Sequence, residues 1–112
     1  MGSQKLFKGS LQTIILRLLE NNDKMYGYEI TQKVKELTKD ELQITEGALY
    51  PALHKLEADG LLEVEVVKVE NRLRKYYKLT EIGTKETANK LEEMQGFLKT
   101  MQHLVNPKFS LE

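Results

Sequence analysis

A chain of 112 residues with 40% hydrophobic side chains suits one small domain with little core to spare, so self-association is expected. The absence of cysteine excludes disulfides, thiolate metal sites and cysteine nucleophiles, and a net charge of +0 excludes a uniformly basic nucleic-acid binder. No apolar run nears the roughly 20 residues of a membrane span, and the N-terminus lacks a signal-peptide pattern, so a soluble cytoplasmic protein is expected.

Residues 1–9 are polar, and the terminal MGS and LE read as cloning remnants, so they carry no weight. From Ser10, SLQTIILRLLENN predicts a helix: Ser10 is a cap, and Leu11, Ile14, Ile15, Leu18 and Leu19 form a wide apolar stripe. MYGYEITQKVKELTKD predicts a second, with Tyr26, Ile30, Val34 and Leu37 at helical spacing. Gly27 near its start suits close approach to another element.

A third helix is predicted from Thr45, a good N-cap, to about Asp59, with Gly60 as its stop. Leu49, Ala52, Leu53 and Leu56 give it one buried face, yet Gly47 and Pro51 lie inside it. An interior proline costs a helix roughly 3 kcal/mol and a glycine roughly 1, so something must offset them. The two are an i, i+4 pair: the proline ring crowds the carbonyl four residues back, which belongs to Gly47. Both sit on the exposed first turns, which suits a contact surface better than a core.

The period then changes from 3.6 to 2. In LLEVEVVKV, Leu62, Val64 and Val66 alternate with Glu63 and Glu65, and in LRKYYKL, Leu73, Tyr77 and Leu79 lie opposite Arg74, Tyr76 and Lys78. Two strands around Glu70-Asn71-Arg72 predict a hairpin, whose turn type stays open without an Asn-Gly pair. Lys68, Arg72, Arg74, Lys75 and Lys78 face only Glu70 there, a local charge of +4. Such a patch attracts phosphates; a plain solvated charge run is the alternative.

Thr80 caps a last helix reaching about Val105, before Asn106-Pro107. Ala88, Leu91, Met94, Leu98, Met101 and Val105 are spaced 3, 3, 4, 3, 4, the period of a coiled-coil seam from Leu91 onward, and Phe97 and Leu104 widen it. Leu91, Met94, Leu98, Met101 and Val105 are therefore the dimerisation candidates.

Three helices, a hairpin and a long helix make a mainly α fold with a two-stranded β-hairpin. The order matches a winged helix-turn-helix over residues 10–80, whose third helix enters the DNA major groove, with a dimerisation helix over residues 81–106. The free face of that third helix carries Thr45, Glu46, Gly47, Tyr50, Pro51, His54 and Lys55. Tyr50 offers a hydroxyl and a ring, Lys55 reaches a phosphate or a guanine edge, and Gly47 lets a phosphate chain approach the helix N-terminus. The bland alternatives are a half-buried aromatic at Tyr50 and a plain surface residue at His54.

YGYEI at 26–30, GALYPALHKLEADGLL at 47–62 and RKYYKLTEIG at 74–83 together resemble the PadR-type transcriptional regulators, the long last helix fitting the short-chain members. The resemblance implies a homodimeric winged-helix repressor joined through its C-terminal helix, with Tyr50 and its neighbours at the operator. It places Arg72, Arg74 and Lys75 of the wing near phosphates. Some members release DNA on binding small aromatic compounds, and a thioether-lined seam adapts to such shapes. That makes Met94, Phe97 and Met101 candidate effector contacts, with a simple dimer core as the alternative. The wing tip VENRLRKYY lacks the glycine- or proline-rich turn many members carry, and the last helix has no tryptophan.

No cofactor, metal or catalytic site is expected. His54 and His103 fall on different elements, no HExxH, GxSxG or Walker spacing occurs, and adjacent Glu92 and Glu93 point to different helix sides. Sequence-specific binding of double-stranded DNA as an inverted repeat is the leading reading. A winged-helix module binding another protein through the same face is the alternative.

Overall fold

A computed structural model describes residues 7–106. The terminal MGS and LE, and Pro107, lie outside these residues.

The apolar stripe of the first segment folds as α1 (Leu11–Glu20), burying Leu11, Ile15, Leu16, Leu18 and Leu19. Ser10 stands at its N-cap position but makes no capping hydrogen bond. The chain arrives from a tight turn, the Ser10 N–H donating to the Phe7 carbonyl at 2.9 Å. That leaves Ser10 at φ −106°, ψ 1° rather than in the extended conformation a capping serine needs.

The second helix is shorter at both ends than the sequence predicts. Met25–Tyr26 are extended and form β1, and α2 spans Gly27–Leu37. Met25, buried beside the core, pairs with Tyr77, and Tyr26 pairs with Tyr76. The Glu29 carboxylate accepts from the Tyr26 N–H at 3.0 Å, which fixes where the helix begins. At the other end the Thr38 hydroxyl donates to the Val34 carbonyl at 2.7 Å and accepts from the Leu42 N–H at 3.1 Å. That hydroxyl draws the chain out of the helix, and Lys39 and Asp40 follow with positive φ. Leu37 consequently lies off the buried stripe, exposed.

α3 (Glu46–Ala58) starts on Thr45, whose hydroxyl accepts from the Ala48 N–H at 3.2 Å, and it buries Leu49, Ala52, Leu53 and Leu56. Gly60, at φ +79°, turns the chain into β2 (Leu62–Val69). β3 (Arg72–Leu79) returns antiparallel, pairing Leu62 with Leu79 through to Val69 with Arg72. The sheet order is β1-β3-β2, three strands where the sequence predicts two. Its core face presents Met25, Leu62 and Tyr77. Burial then fades outward along the hairpin: Val64 is half-buried, Val66 exposed, and Leu73 76% exposed. The distal half of the hairpin projects beyond the helices, so its alternation survives without a core to face.

α4 (Glu81–Val105) begins at Thr80, whose hydroxyl accepts from the Gly83 N–H at 2.9 Å and donates to the Gly60 carbonyl at 2.6 Å. Only Gly83 and Thr87 of this helix are buried. A Cβ on Gly83 would stand 2.0 Å from the Leu61 carbonyl oxygen, and the fully buried Thr87 donates to the Gly83 carbonyl at 2.7 Å. Ala88, one turn before the seam expected from Leu91, is exposed, and the head packs on the Gly83–Thr87 face one residue away.

Candidate nucleic-acid interface

With Leu49, Ala52, Leu53 and Leu56 turned into the core, the opposite side of α3 is open: Thr45, Glu46, Gly47, Tyr50, Pro51, His54 and Lys55 are all exposed. A Cβ on Gly47 would meet no atom within 4 Å, so the helix start is bare on that side. Pro51, inside the helix, is exposed on the same face.

Tyr50 is both exposed and packed. The residue is 39% exposed, yet its hydroxyl leans on α2, 2.7 Å from where a Cβ on Gly27 would lie. The close approach expected of Gly27 is therefore to α3. His54 lies one turn on, its ring 6.5 Å from that of Tyr50. Lys55 is tied to Asp59 at 3.2 Å across one turn, an exposed pair worth little and readily exchanged for a phosphate.

The five cations of the hairpin do not form one uniform patch. By strand parity Arg72, Arg74 and Lys78 belong to the outer face, whereas Lys68 and Lys75 continue the core face beyond the core. Lys68, Arg72 and Lys75 are exposed, and among the described residues none of their side chains makes an ion pair or hydrogen bond. Lys68 belongs with Arg72 and Lys75, although its place in the charge run alone does not single it out. Lys78 pairs with Glu63 at 3.5 Å.

Arg74 is partnered. Its guanidinium lies 4.0 Å over the ring of Tyr26 and donates to the Tyr76 hydroxyl at 3.4 Å, an acceptor that holds its pKa above the ordinary value. The Tyr26 and Tyr76 rings meet edge to face at 5.4 Å. Lys24 completes the group, 5.0 Å over Tyr76 and 2.8 Å from Glu65. Their hydrogen bond raises the lysine's pKa and lowers the carboxylate's. This aromatic cluster is missed by a sequence reading that places Tyr26 in a helix, since only the β1 pairing brings it beside Tyr76.

The seam candidates lie together on the distal half of α4. Leu91, Met94 and Met101 are half-buried, while Phe97, Leu98, Leu104 and Val105 are exposed, Phe97 at 62% and Val105 at 74%. Met94, Phe97, Leu98, Met101 and Val105 line one side of a groove of about 720 Å³, and Phe7 and Leu42 line the other. Among the described residues no helix is long and apolar enough to cross a membrane, and no group of three His, Asp or Glu side chains is placed to hold a metal ion.

Residues 15–89 match the "Transcriptional regulator PadR-like family". An uncharacterized protein of Lysinibacillus sphaericus is 38% identical over 79 residues, 70% of this chain and 72% of that one. The transcriptional regulator Rv3488 of Mycobacterium tuberculosis is 40% identical over 62 residues, 55% of each chain. Among solved structures, a transcriptional regulator from Clostridium thermocellum superposes with a TM-score of 0.78 at 30% identity, covering 95% of this chain and 99% of its own. A PadR-like transcription factor from Bacteroides fragilis gives 0.72 at 34% identity, covering 91% and 96%. With its winged-helix head, open third helix and long C-terminal helix, the chain belongs to the PadR-like family of transcriptional regulators, DNA-binding proteins rather than enzymes.

Proposed function

We propose that the chain is a cytoplasmic homodimeric repressor that reads an inverted-repeat operator. Residues 10–80 serve as the DNA-binding unit and residues 81–106 as the dimerisation helix. The observation that carries this reading is the open face of α3 from Thr45 to Lys55, together with the exposed Lys68, Arg72 and Lys75 of the hairpin, whose side chains have no ion-pair partner among the described residues. On the exposed side of α3, Tyr50 presents a ring edge and His54, one turn further on, a donor and an acceptor to a major groove. The bare backbone at Gly47 allows a phosphate to approach where helix N–H groups point outward. The wing cations hold phosphates and carry no sequence information.

The test compares Tyr50→Ala and Lys75→Ala on a duplex selected from genomic fragments and on random-sequence duplex. Tyr50→Ala is expected to lose mainly the preference for the selected duplex, on the order of 1–3 kcal/mol. Lys75→Ala is expected to weaken both duplexes and flatten the salt dependence by about one unit on each subunit. Wild-type binding that ignores salt would instead favour a protein partner.

A second reading rests on the groove beside the seam. Met94, Phe97 and Met101 line it with flexible, polarizable side chains that could hold a flat aromatic effector. A library of aromatic compounds that neither raises the melting temperature nor releases DNA removes this reading and leaves a plain dimer core.

A further inference from the structure

Two consecutive residues hold the two DNA-facing elements. Tyr26, the last residue of β1, carries the Arg74 guanidinium of the wing on its ring at 4.0 Å. Gly27, the first of α2, receives the Tyr50 hydroxyl of the recognition helix, leaving no room for a Cβ. The Glu29 carboxylate accepts from the Tyr26 N–H at 3.0 Å and so ties down the backbone just before these two contacts. The Tyr26 ring is fixed in turn by its edge contact with Tyr76, on the same strand as Arg74.

The distal hairpin has no core to hold its angle, because its would-be core residues Val66 and Leu73 are exposed. A projecting two-stranded ribbon twists and bends readily. Fixing its direction before DNA arrives removes an ordering cost that binding would otherwise meet. The outer-face cluster supplies such a fixation, and it uses Arg74 where a free wing cation would be left for phosphate.

We propose that the Tyr26–Gly27 step is the joint that registers the wing against the recognition helix, with Arg74 a positioning residue that locks the wing to it rather than a phosphate contact. The inference rests on the DNA-binding reading above. It adds to that reading that two wing cations of the same charge do different work. Arg72 and Lys75 act through charge, and Arg74 acts through its planar stacking on Tyr26, which lysine reproduces poorly.

The test is a salt titration of binding to random-sequence duplex, with the melting temperature of each variant measured alongside. Arg74→Lys keeps the charge and loses the stacked plane. It is expected to weaken binding about two- to fivefold, the factor that an exposed cation–π contact is worth, with the salt slope unchanged. Tyr26→Leu, which removes no charge, is expected to give the same loss, and Tyr26→Phe, which keeps the ring, none. Gly27→Ala, which displaces the Tyr50 hydroxyl, should weaken binding with the slope again intact. Lys75→Ala should flatten the slope instead. An Arg74→Lys variant with wild-type affinity, beside an Arg74→Ala variant that flattens the slope by about one unit per subunit, makes Arg74 a phosphate contact and overturns the proposal. Losses that vanish when binding is measured well below the melting temperature of every variant reduce the cluster to fold stability and overturn it as well. Should Tyr26→Leu fail to fold, the Arg74→Lys arm decides alone. A wild type that binds no duplex brings down the DNA reading itself, which the other failures leave standing.

Discussion

Gly47 and Gly83 occupy the first turns of two helices, and their surroundings make opposite demands. At Gly83 an added methyl would stand 2.0 Å from the Leu61 carbonyl oxygen, a backbone atom that cannot step aside. Gly83→Ala should therefore push α4 away from the bend at Leu61 and cost about 3 kcal/mol, read by urea unfolding. At Gly47 an added methyl meets nothing. Gly47→Ala should stabilise the fold by on the order of 0.5 kcal/mol, because the unfolded chain loses freedom. It should nonetheless weaken DNA binding, since the methyl fills space reserved for the phosphate chain. A variant more stable and equally tight would show that DNA does not approach there. Tyr77 carries a pH prediction. Burial, more than the nearby Glu57 and Tyr50, pushes its phenol above the usual range, so the fold holds the neutral form. That contribution is whole below the ordinary phenol pKa of about 10 and is lost as pH rises through the higher folded value. Melting temperatures taken between about pH 8 and about pH 11 should fall less steeply for Tyr77→Phe than for the wild type.

Among the elements, the hairpin is the one that combines a strained turn with an unpacked tip. Glu70 and Asn71 sit at φ +46° and +64°, the pair of left-handed residues that a two-residue I′ turn requires. Glutamate is a poor resident of that region, and Asn-Gly is a good one. Replacing Glu70-Asn71 by Asn-Gly should raise stability by about 0.5–1 kcal/mol without altering the salt slope, since the strand cations stay in place. Unchanged unfolding would mean that the turn carries no strain. The same hairpin shows what was legible in sequence. Strand alternation gave both strands and their facing residues, because period-2 patterning survives even where no core lies behind it. It could not say where the core ends, since Val64 and Val66 read alike in sequence while only Val64 of the two packs against the core. The short β1 was hidden because Met25-Tyr26 fits a helix's first turn equally well, and only pairing with Tyr77 and Tyr76 makes it a strand. The exposed face of α3 was readable from its helical period. The binding of Arg74 to Tyr26 was not, because it depends on a strand pairing that leaves no local signature.

At the scale of the whole molecule, the head leaves α4 half-covered. The 25 residues of that helix run about 37 Å at 1.5 Å per residue, and its two buried positions fall within the first two turns. Beyond Met94 it carries Phe97, Leu98, Leu104 and Val105 into solvent, beside the groove lined by Phe7 and Leu42. A contiguous apolar face of this kind on a small domain marks an association surface. The 3.5-residue spacing of Leu91, Met94, Leu98, Met101 and Val105 suits a second helix rather than a flat globular surface. On this reading a two-fold axis brings two α4 helices together and sets both α3 helices on one side of a duplex, which is what an inverted repeat requires. Leu98→Asp places a carboxylate in the middle of the seam, where it has no partner and pays its full desolvation. Sedimentation should then report monomers that keep the helical circular dichroism of the head. Affinity for a two-half-site duplex should fall about a hundredfold or more, because the second head is no longer held at high effective concentration. Affinity for a single half-site should stay close to that of one wild-type head. A wild-type chain that sediments as a monomer at micromolar concentration would remove the two-fold arrangement, and the exposed face of α4 would then need a different partner.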